Sequence, residues 1–279
     1  MNPVPTAVIT VARGRHGHLA LQEAGLRSST VAPDIRCVVA IDDPALGAIA
    51  ASGHVVLDCP VADSTNLPLA SARNRGAAEA IRRGAQLLIF LDIDCVPAPT
   101  MIHRYREADQ DTHGRALLSG PVTYLPPPPT GGYQLAFLAG MGAPHPARPN
   151  PTPGELLRAD DYRLFWSLSF AVSAPTWQQL GGFCEDYVGY GGEDTDFAET
   201  ARAAGTPFYW VGGAHAYHQH HPISDPPVEH LGAIVRNARI FHRRWGWWPM
   251  VGWLHAFEAL GLITCDGNRI EMAVTNDRN

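Results

Sequence analysis

The segment 181–197 combines glycines and carboxylates in a pattern that could do chemistry. Its five glycines let the backbone adopt a positive φ or pass close to a bound group. Glu193, Asp194 and Asp196 fall where a helix would begin, and acidic side chains suit the helix dipole there. A carboxylate at such a rim could act as a general base on a substrate hydroxyl. The alternative is a tight loop that leads into a helix with an acidic N-terminus, which would give the same pattern in a segment with no catalytic role.

Two further pairs of aspartates follow apolar, strand-like runs. Asp92 and Asp94 come directly after the apolar run 87–91, and Asp42 and Asp43 follow a similar run. Side chains two positions apart in an extended segment share a face, so Asp92 and Asp94 could serve one ligand. Carboxylate oxygens are the ligands that Mg²⁺ or Mn²⁺ prefers, and these cations neutralise diphosphates. The motif therefore predicts a nucleotide site with a divalent cation, with turn-forming aspartates as the alternative.

Four histidines lie close together, at positions 215, 218, 220 and 221. Such a cluster could hold a metal ion, but sites for hard cations usually take only one imidazole. We therefore expect most of these histidines to lie at the surface or behind the metal ligands. A zinc site is the alternative, although neither an HExxH motif nor a cysteine partner accompanies the cluster.

The elements that must position these side chains alternate between strand and helix patterns. Apolar runs typical of strands buried on both faces occur at 7–11, 37–41 and 87–91. Helical patterns lie between them at 19–26, 44–52 and 71–84. This alternation predicts a doubly wound α/β sheet that binds ligands at the carboxyl ends of its strands. The two acidic pairs would then lie beside one crevice.

The second half of the chain has weaker patterns. Residues 121–153 are rich in proline and glycine and predict an irregular loop, either a surface excursion or a lid. The remaining patterns predict strands at 164–172 and 208–211 and helices at 176–180, 194–204 and 228–244. We assign residues 1–221 to one α/β domain and residues 222–279 to a helical, tryptophan-rich C-terminal extension. We expect the tryptophans to pack on the domain, with peripheral membrane contact as the alternative.

Composition narrows the function classes. The apolar fraction of 46% and charged fraction of 17% are those of an ordinary globular protein. The net charge of −6 argues against a general nucleic-acid-binding protein. The five cysteines stand singly, which disfavours a disulfide framework and a cysteine metal cluster. Because no signal-peptide pattern or long apolar run is present, we expect a cytoplasmic protein, either free or peripheral at the inner face of the membrane.

In combination, the motifs resemble the family-two glycosyltransferases of the GT-A fold. The resemblance runs from about residue 7 to residue 221. It is closest to the subgroup with a galactosyltransferase-like C-terminal half, which includes chondroitin-polymerase-like and β-1,4-galactosyltransferase-like domains. It rests on Thr10 and Arg13, Asp42-Asp43, Ala72-Arg73-Asn74-x-Gly76, Leu91-Asp92-Ile93-Asp94, Gly181-Gly182-Phe183-x-Glu185, Gly191-Gly192-Glu193-Asp194 and Ala216-Tyr217-His218-Gln219. It implies a single Rossmann-like, mostly parallel twisted sheet flanked by helices.

The resemblance also implies roles for the site residues. Asp194 is the implied general base, and Asp94 and His218 are the implied metal ligands. The implied acceptor-binding residues are Glu193, Tyr190 and Trp166. The implied residues of the donor nucleotide site are Thr10, Arg13, Asp42, Arg73, Asn74 and Asp92. Asp42 would contact the nucleobase, and Asp92 would lie near the ribose. Residues 1–120 would form the nucleotide-sugar-binding half and residues 154–221 the acceptor half.

The implied reaction is the inverting transfer of a hexosyl group with the help of Mn²⁺ or Mg²⁺. The expected donor is a UDP-sugar, with a GDP-sugar as the alternative, and the acceptor is a glycan, a lipid-linked molecule or a small molecule. A nucleotidyltransferase that uses the basic segment 13–17 for phosphate binding is a competing hypothesis, as is an inactive nucleotide-sugar-binding module. The chain departs from the subgroup at Tyr190, where tryptophan is usual, and at residues 121–153, which have no counterpart.

Overall fold

A computed structural model of the chain describes residues 4–49, 53–61, 63 and 66–273. The main sheet has eight strands in the order β3-β2-β1-β4-β9-β6-β10-β8. The strands are β1 (Thr6–Ala12), β2 (Ile35–Ile41), β3 (Val55–Cys59), β4 (Leu87–Leu91), β5 (Cys95–Pro97), β6 (Leu117–Ser119), β7 (Val122–Tyr124), β8 (Leu156–Arg158), β9 (Ser169–Ser173), β10 (Phe208–Val211), β11 (Ala216–His218), β12 (Ile263–Cys265) and β13 (Ile270–Met272). The helices are α1 (His16–Arg27), α2 (Leu46–Ile49), α3 (Leu69–Arg82), α4 (Met101–Asp111), α5 (Ala174–Leu180), α6 (Glu193–Ala203), α7 (Leu231–Trp245) and α8 (Val251–Ala259).

The first half of the main sheet is parallel and buried. β1 lies between β2 and β4 and pairs in parallel with both, and β3 extends the sheet beyond β2. α3 packs tightly on this sheet, since a Cβ added at Gly76 would lie 2.6 Å from Ile9 Cγ2. The three predicted strands are confirmed, and so is the mostly parallel, Rossmann-like α/β sheet. β3 escapes the sequence pattern because it is an edge strand with three of its five residues only partly buried or exposed.

The helices of this half agree with the periodicity. α1 and α3 confirm the helices predicted at 19–26 and 71–84. The third predicted helix, at 44–52, is observed as α2, and the part of that prediction at 50–52 lies outside the described residues.

The second half of the sheet is mixed. β9 pairs antiparallel with both β4 and β6, while β10 is parallel to β6 and antiparallel to β8. A separate sheet has the order β5-β11-β7, in which His218 pairs with Cys95. Since Cys95 directly follows Asp94, this pairing brings the histidine segment next to the acidic turn after β4. Sequence patterns gave no indication of this sheet, because each of its strands has only three residues.

Two predictions for this half need correction. The strand expected at 164–172 is wrong in its first part, because residues 162–164 form a 3₁₀ turn and the strand starts at Ser169. Trp166 therefore lies in a loop, where neighbouring side chains decide its direction. The segment 121–153 is not wholly irregular, since it contains β7 and a 3₁₀ helix, Leu135–Gly140.

The C-terminal extension has its own small apolar core. α7, α8 and the β12–β13 hairpin bury this core, whose fully buried members include Ile234, Phe257 and Ile270. The core explains the apolar stripe along these helices and agrees with packing of the tryptophans on the protein. Among the residues that the structure describes, no helix combines the length and apolarity that crossing a membrane requires.

One buried carboxylate joins the extension to α6. A single oxygen of Asp196, Oδ1, accepts hydrogen bonds from Tyr187 Oη (3.1 Å), Arg244 Nε (2.7 Å) and Trp245 Nε1 (2.7 Å). Asp196 is only 1% exposed, so these donors replace the hydration that an ionised carboxylate needs. The last turn of α7 is thereby fixed to the first turn of α6.

Candidate active site

The acidic turn after β4 is held by a buried glutamine of α1. Gln22 Nε2 donates to the carbonyl oxygens of Asp92 (2.7 Å) and Cys95 (2.9 Å). Gln22 Oε1 in turn accepts hydrogen bonds from Arg36 Nη2 at 2.6 Å. Gln22 is fully buried, so its amide fixes the backbone that carries the two aspartates. Local sequence patterns do not identify Gln22, because its partners come from other strands.

Thr10 belongs to the same buried network. Its hydroxyl lies 2.8 Å from Leu91 O and 2.9 Å from Gln22 Oε1, and it accepts a hydrogen bond from Arg36 Nη1 at 2.9 Å. Arg36 is neutralised by Glu23, with 2.8 Å between Nε and Oε1. The Thr10 side chain is therefore buried in this network, and its hydroxyl supports the Asp92 turn from behind.

Three potential metal ligands meet beyond this turn. The ligand atoms of Asp94, His218 and His221 all lie within 4.8 Å of one another. His218 Nε2 is 3.5 Å from Asp94 Oδ1, and His221 Nε2 is 3.4 Å from Asp94 Oδ2. Asp94 Oδ1 is buried and, among the described residues, has no hydrogen-bond partner. An orphaned carboxylate oxygen that faces one imidazole, with a second imidazole at the other oxygen, fits a divalent cation, and the two residues predicted as ligands, Asp94 and His218, lie together.

The electrostatics of this cluster favour an ionised carboxylate and a neutral imidazole. Burial alone would raise the pKa of Asp94, but His221, His218 and Arg15 together lower it to about 2. Burial lowers the pKa of His218, which favours the neutral imidazole that binds metals. His221 is a potential ligand that the sequence interpretation did not name, because most of the four histidines were expected to lie at the surface or behind the metal ligands. The other two histidines lie apart: His215 contacts Thr123 Oγ1 (2.8 Å), and His220 is exposed.

Arg73 connects Asp92, which follows β4, to the start of α6. It is 5% exposed and donates to Asp92 Oδ1 (3.2 Å) and Glu193 Oε1 (3.1 Å). Burial opposes its charge, but the two carboxylates raise its pKa. Burial raises the pKa of Asp92 to about 6 against the effect of Arg73. One oxygen of Glu193, predicted to bind the acceptor, is therefore engaged by Arg73.

Asn74, next to Arg73, makes hydrogen bonds to the glycine-rich segment 181–197. Its amide exchanges hydrogen bonds with Phe183 N and O at 2.9 Å and donates to Glu185 Oε1 at 2.8 Å. The backbone at Gly182 passes close to the Asn74 side chain, since φ there is +74° and an added Cβ would lie 2.7 Å from Asn74 Oδ1. Asn74 thus fixes the glycine-rich segment against α3.

Asp194 lies in the first turn of α6, where the sequence predicted a base. Its Oδ1 accepts a hydrogen bond from Thr195 N at 2.7 Å. Loss of hydration, followed by the neighbouring Glu193 charge, raises the pKa of Asp194 to about 7. A half-buried carboxylate with such a pKa can accept a proton near neutral pH.

Aromatic side chains flank this carboxylate. The ring of Tyr190 is 40% exposed and stacks on His230 (4.6 Å between centroids) and on Trp253 of α8 (5.7 Å). Residues of the C-terminal extension thus support the predicted acceptor contact. Near the three potential metal ligands, the Tyr124 ring lies 4.6 Å from the His218 ring. Tyr124 was not predicted, because nothing local marks β7 as part of the site.

Trp166 packs in a separate cluster, which consists of aromatic rings and the buried guanidinium of Arg148. The Arg148 guanidinium lies between the rings of Trp166 (5.0 Å) and Trp210 (4.8 Å), and His145 packs edge-on against Trp166 at 4.9 Å. Arg148 Nη2 donates to Ser119 Oγ at 2.8 Å. The half-buried Trp166 is therefore held by the segment 121–153, which sequence patterns treated as a loop.

The remaining predicted donor residues lie where β1 and β2 end. Asp42 is exposed and adopts a positive φ of 49°. Its neighbour Asp43 accepts hydrogen bonds from Gly14 N (2.7 Å) and His16 Nε2 (2.9 Å), which joins the two strand ends. Arg13 is half-buried in the same loop.

Comparisons with known proteins agree with this architecture. The family described as "N-terminal domain of galactosyltransferase" matches residues 157–222, the part that carries Asp194 and His218. The crystal structure of GalNAc-T7 with UDP, GalNAc and Mn²⁺ aligns with a TM-score of 0.59 and 15% identity over 86% of this chain. S. aureus TarS 1–349 aligns with a TM-score of 0.55 and 12% identity over 85% of the chain. The chain spans 50% and 64% of these two structures.

No curated protein matches the sequence. At such low identity the structural likenesses establish the fold alone, and that fold is the GT-A fold that the motifs implied.

Proposed function

We propose that this chain is an inverting, divalent-metal-dependent glycosyltransferase that moves a sugar from a nucleotide-sugar to an acceptor hydroxyl. The proposal rests on one observation: the chain has a potential cation site around Asp94 and a second carboxylate, Asp194, that can act as a base. Asp94, His218 and His221 form a potential cation site, and Asp194 is a half-buried carboxylate with a pKa of about 7. Arg73 bridges the two sides through Asp92 and Glu193.

On the donor side, Asp94, His218 and His221 would hold Mn²⁺ or Mg²⁺. Such a cation stabilises the negative charge that a nucleoside diphosphate gains as it leaves. Asp92 would accept a hydrogen bond from a ribose hydroxyl, with its carboxylate oriented by Arg73. Asp42 and Arg13, at the ends of β2 and β1, would contact the nucleobase. A UDP-sugar is the first donor to test, because GalNAc-T7 was crystallised with UDP and Mn²⁺.

On the acceptor side, Asp194 would take the proton of the attacking hydroxyl. A sugar hydroxyl is a poor nucleophile until a base within hydrogen-bonding reach accepts its proton. The exposed face of Tyr190 offers an aromatic surface on which a sugar ring can stack, with Trp166 as a second candidate. A glycan acceptor therefore fits better than a small polar molecule. Attack in line with the departing diphosphate would convert an α-linked donor into a β-linked product.

A donor screen tests this proposal without knowledge of the acceptor. Purified protein is incubated with UDP- and GDP-sugars in the presence of Mn²⁺, Mg²⁺ or EDTA, and released nucleoside diphosphate is measured. We expect metal-dependent release from at least one donor and none with EDTA. His221→Ala should lower release through loss of a ligand, whereas the exposed His220→Ala is the matched control.

Other outcomes would redirect the assignment. Release of pyrophosphate when a sugar phosphate and a nucleoside triphosphate are supplied would favour a nucleotidyltransferase. Thermal stabilisation by metal and nucleotide without release or transfer under any condition would favour an inactive binding module.

A further inference from the structure

Arg15, which follows β1, contacts the potential metal site that follows the neighbouring strand β4. Its Nη1 donates a hydrogen bond to Asp94 Oδ2, and its Nη2 lies 3.5 Å from His221 Nδ1. The guanidinium therefore contacts two of the three residues that could hold a cation. Glycosyltransferase chemistry as described above uses no such group, and the role of Arg15 needs its own explanation.

The contact puts two cations in competition for one carboxylate. Oδ2 of Asp94 is shared by Arg15 and His221, while Oδ1 faces His218. A divalent cation held by all three ligands needs the carboxylate that Arg15 already neutralises. It would also stand within a few ångströms of the guanidinium charge, where repulsion is strong in a partly buried site.

The side chain of Arg15 can leave this contact without disturbing the fold. It is 39% exposed, whereas the Asp94 side chain is 8% exposed. Both chain neighbours of Arg15 are held independently of it, since Asp43 accepts hydrogen bonds from the backbone N–H of Gly14 and from the ring of His16. Only the Arg15 side chain has to move.

A nucleoside diphosphate would offer the guanidinium a new partner. Arg15 lies where β1 ends and α1 begins, at the carboxyl edge of the sheet that carries Asp94. A diphosphate bound to a cation at Asp94 would lie close to this point. The planar fork of arginine matches phosphate oxygens through paired, charge-assisted hydrogen bonds.

We propose that Arg15 couples metal binding to donor binding. This inference rests on the proposed function. The guanidinium holds Asp94 until a nucleoside diphosphate arrives, and it then moves to the phosphates and leaves the carboxylate to the cation. Cation and nucleoside diphosphate consequently bind tightly only together, and by linkage each strengthens the binding of the other by the same factor.

Mn²⁺ titrations test the coupling with no need for catalysis. The electron paramagnetic resonance signal of free Mn²⁺ gives the Kd for the wild type and for Arg15→Gln, with and without saturating UDP or GDP. The exposed Arg27→Gln, at the other end of α1, is the matched control, and His221→Ala identifies the signal as coming from this site. We expect Arg15→Gln to bind Mn²⁺ alone about tenfold more tightly than the wild type, since it lacks the competing charge-assisted bond. A nucleoside diphosphate should then strengthen Mn²⁺ binding less in Arg15→Gln than in the wild type.

Equal or weaker Mn²⁺ binding by Arg15→Gln in the absence of nucleotide would overturn the proposal. If donor turnover is observed in that case, the proposed function stands and only the coupling fails. If Arg15→Gln binds Mn²⁺ more tightly but no nucleotide changes the Kd, competition is supported while coupling to a diphosphate is refuted. Arg15→Lys keeps the charge without the fork and should fall between the two, and thermal unfolding checks that each variant is folded.

Discussion

The raised pKa of Asp194 makes a prediction that activity and stability can test independently. Folding raises this pKa from its ordinary value of 3.8 to about 7 through burial and the neighbouring charge of Glu193. The ionised form is the one that can accept a proton. With a pKa of about 7, roughly one-tenth of Asp194 is ionised at pH 6 and about nine-tenths at pH 8. We therefore expect kcat/KM to be about tenfold lower at pH 6 than at pH 8, whereas an ordinary aspartate would give equal values.

The same pKa also determines how stability responds to pH. Because the folded-state pKa lies above the unfolded-state value, its contribution to stability is present below about pH 4 and is lost as the pH rises through 7. The full shift corresponds to about 4 kcal/mol, and the partial exposure of the side chain reduces this to roughly 1–2 kcal/mol. Asp194→Asn removes the charge and keeps an acceptor for Thr195 N. At pH 8 this variant should unfold about 2–6 °C above the wild type, with no difference near pH 4.

The two assays use the same proteins. Donor turnover with acceptor is measured from pH 5 to 9, and thermal unfolding is followed by circular dichroism at pH 4, 6 and 8. Asp194→Asn should lose a factor of about 10²–10⁴ in turnover. Asp186→Asn, which alters an exposed carboxylate in the same segment, should match the wild type in both assays. A flat activity profile from pH 5 to 8, or near-normal turnover of Asp194→Asn, would refute the assignment of Asp194 as the base.

Three further substitutions test how the site is supported. Gln22→Leu leaves two backbone carbonyls and Arg36 without their buried partner. We therefore expect the free energy of unfolding, measured in urea, to fall by about 2–4 kcal/mol. An unchanged urea midpoint would contradict the buried network. Asp196→Ala removes the acceptor of three hydrogen bonds and leaves the buried Tyr187 hydroxyl without this partner, which should lower stability by about 1–3 kcal/mol and expose the extension to limited proteolysis. Gly120→Ala would place a Cβ 1.8 Å from Ala214 O, so we expect the free energy of unfolding to fall by about 3 kcal/mol or more. A Tm within about 2 °C of the wild-type value would show that the backbone there shifts to make room.

The elements that sequence patterns predicted well are those with a strong local signal. The runs that became β1, β2 and β4 are continuous and apolar because both faces of a parallel sheet are covered. The acidic pairs after β2 and β4 lie at the carboxyl edge of the sheet, where doubly wound α/β folds bind their ligands. The position of Asp194 in the first turn of a helix was predictable for a similar local reason.

The contacts that sequence patterns did not predict join distant segments of the chain. Whether His221 faces Asp94 depends on the turn after β11, and no periodicity describes that turn. Thr10 lies at the predicted strand end, yet its side chain points into the network of Gln22 and Arg36, because in a strand neighbouring positions face opposite sides. Trp166 lies in a loop, although the local pattern of the aromatic run around it suits a strand equally well.

The pairing of β5 with β11 has a consequence for the order in which the protein matures. Asp94 and His218 are more than one hundred residues apart in the chain, and the register that pairs Cys95 with His218 brings them together. A shift of this register by one residue would turn the histidine to the opposite face of the small sheet. During synthesis, the first half of the sheet can form while the histidines are still inside the ribosome. The potential cation site of Asp94, His218 and His221 is therefore complete only after this long-range pairing, which forms more slowly than local contacts.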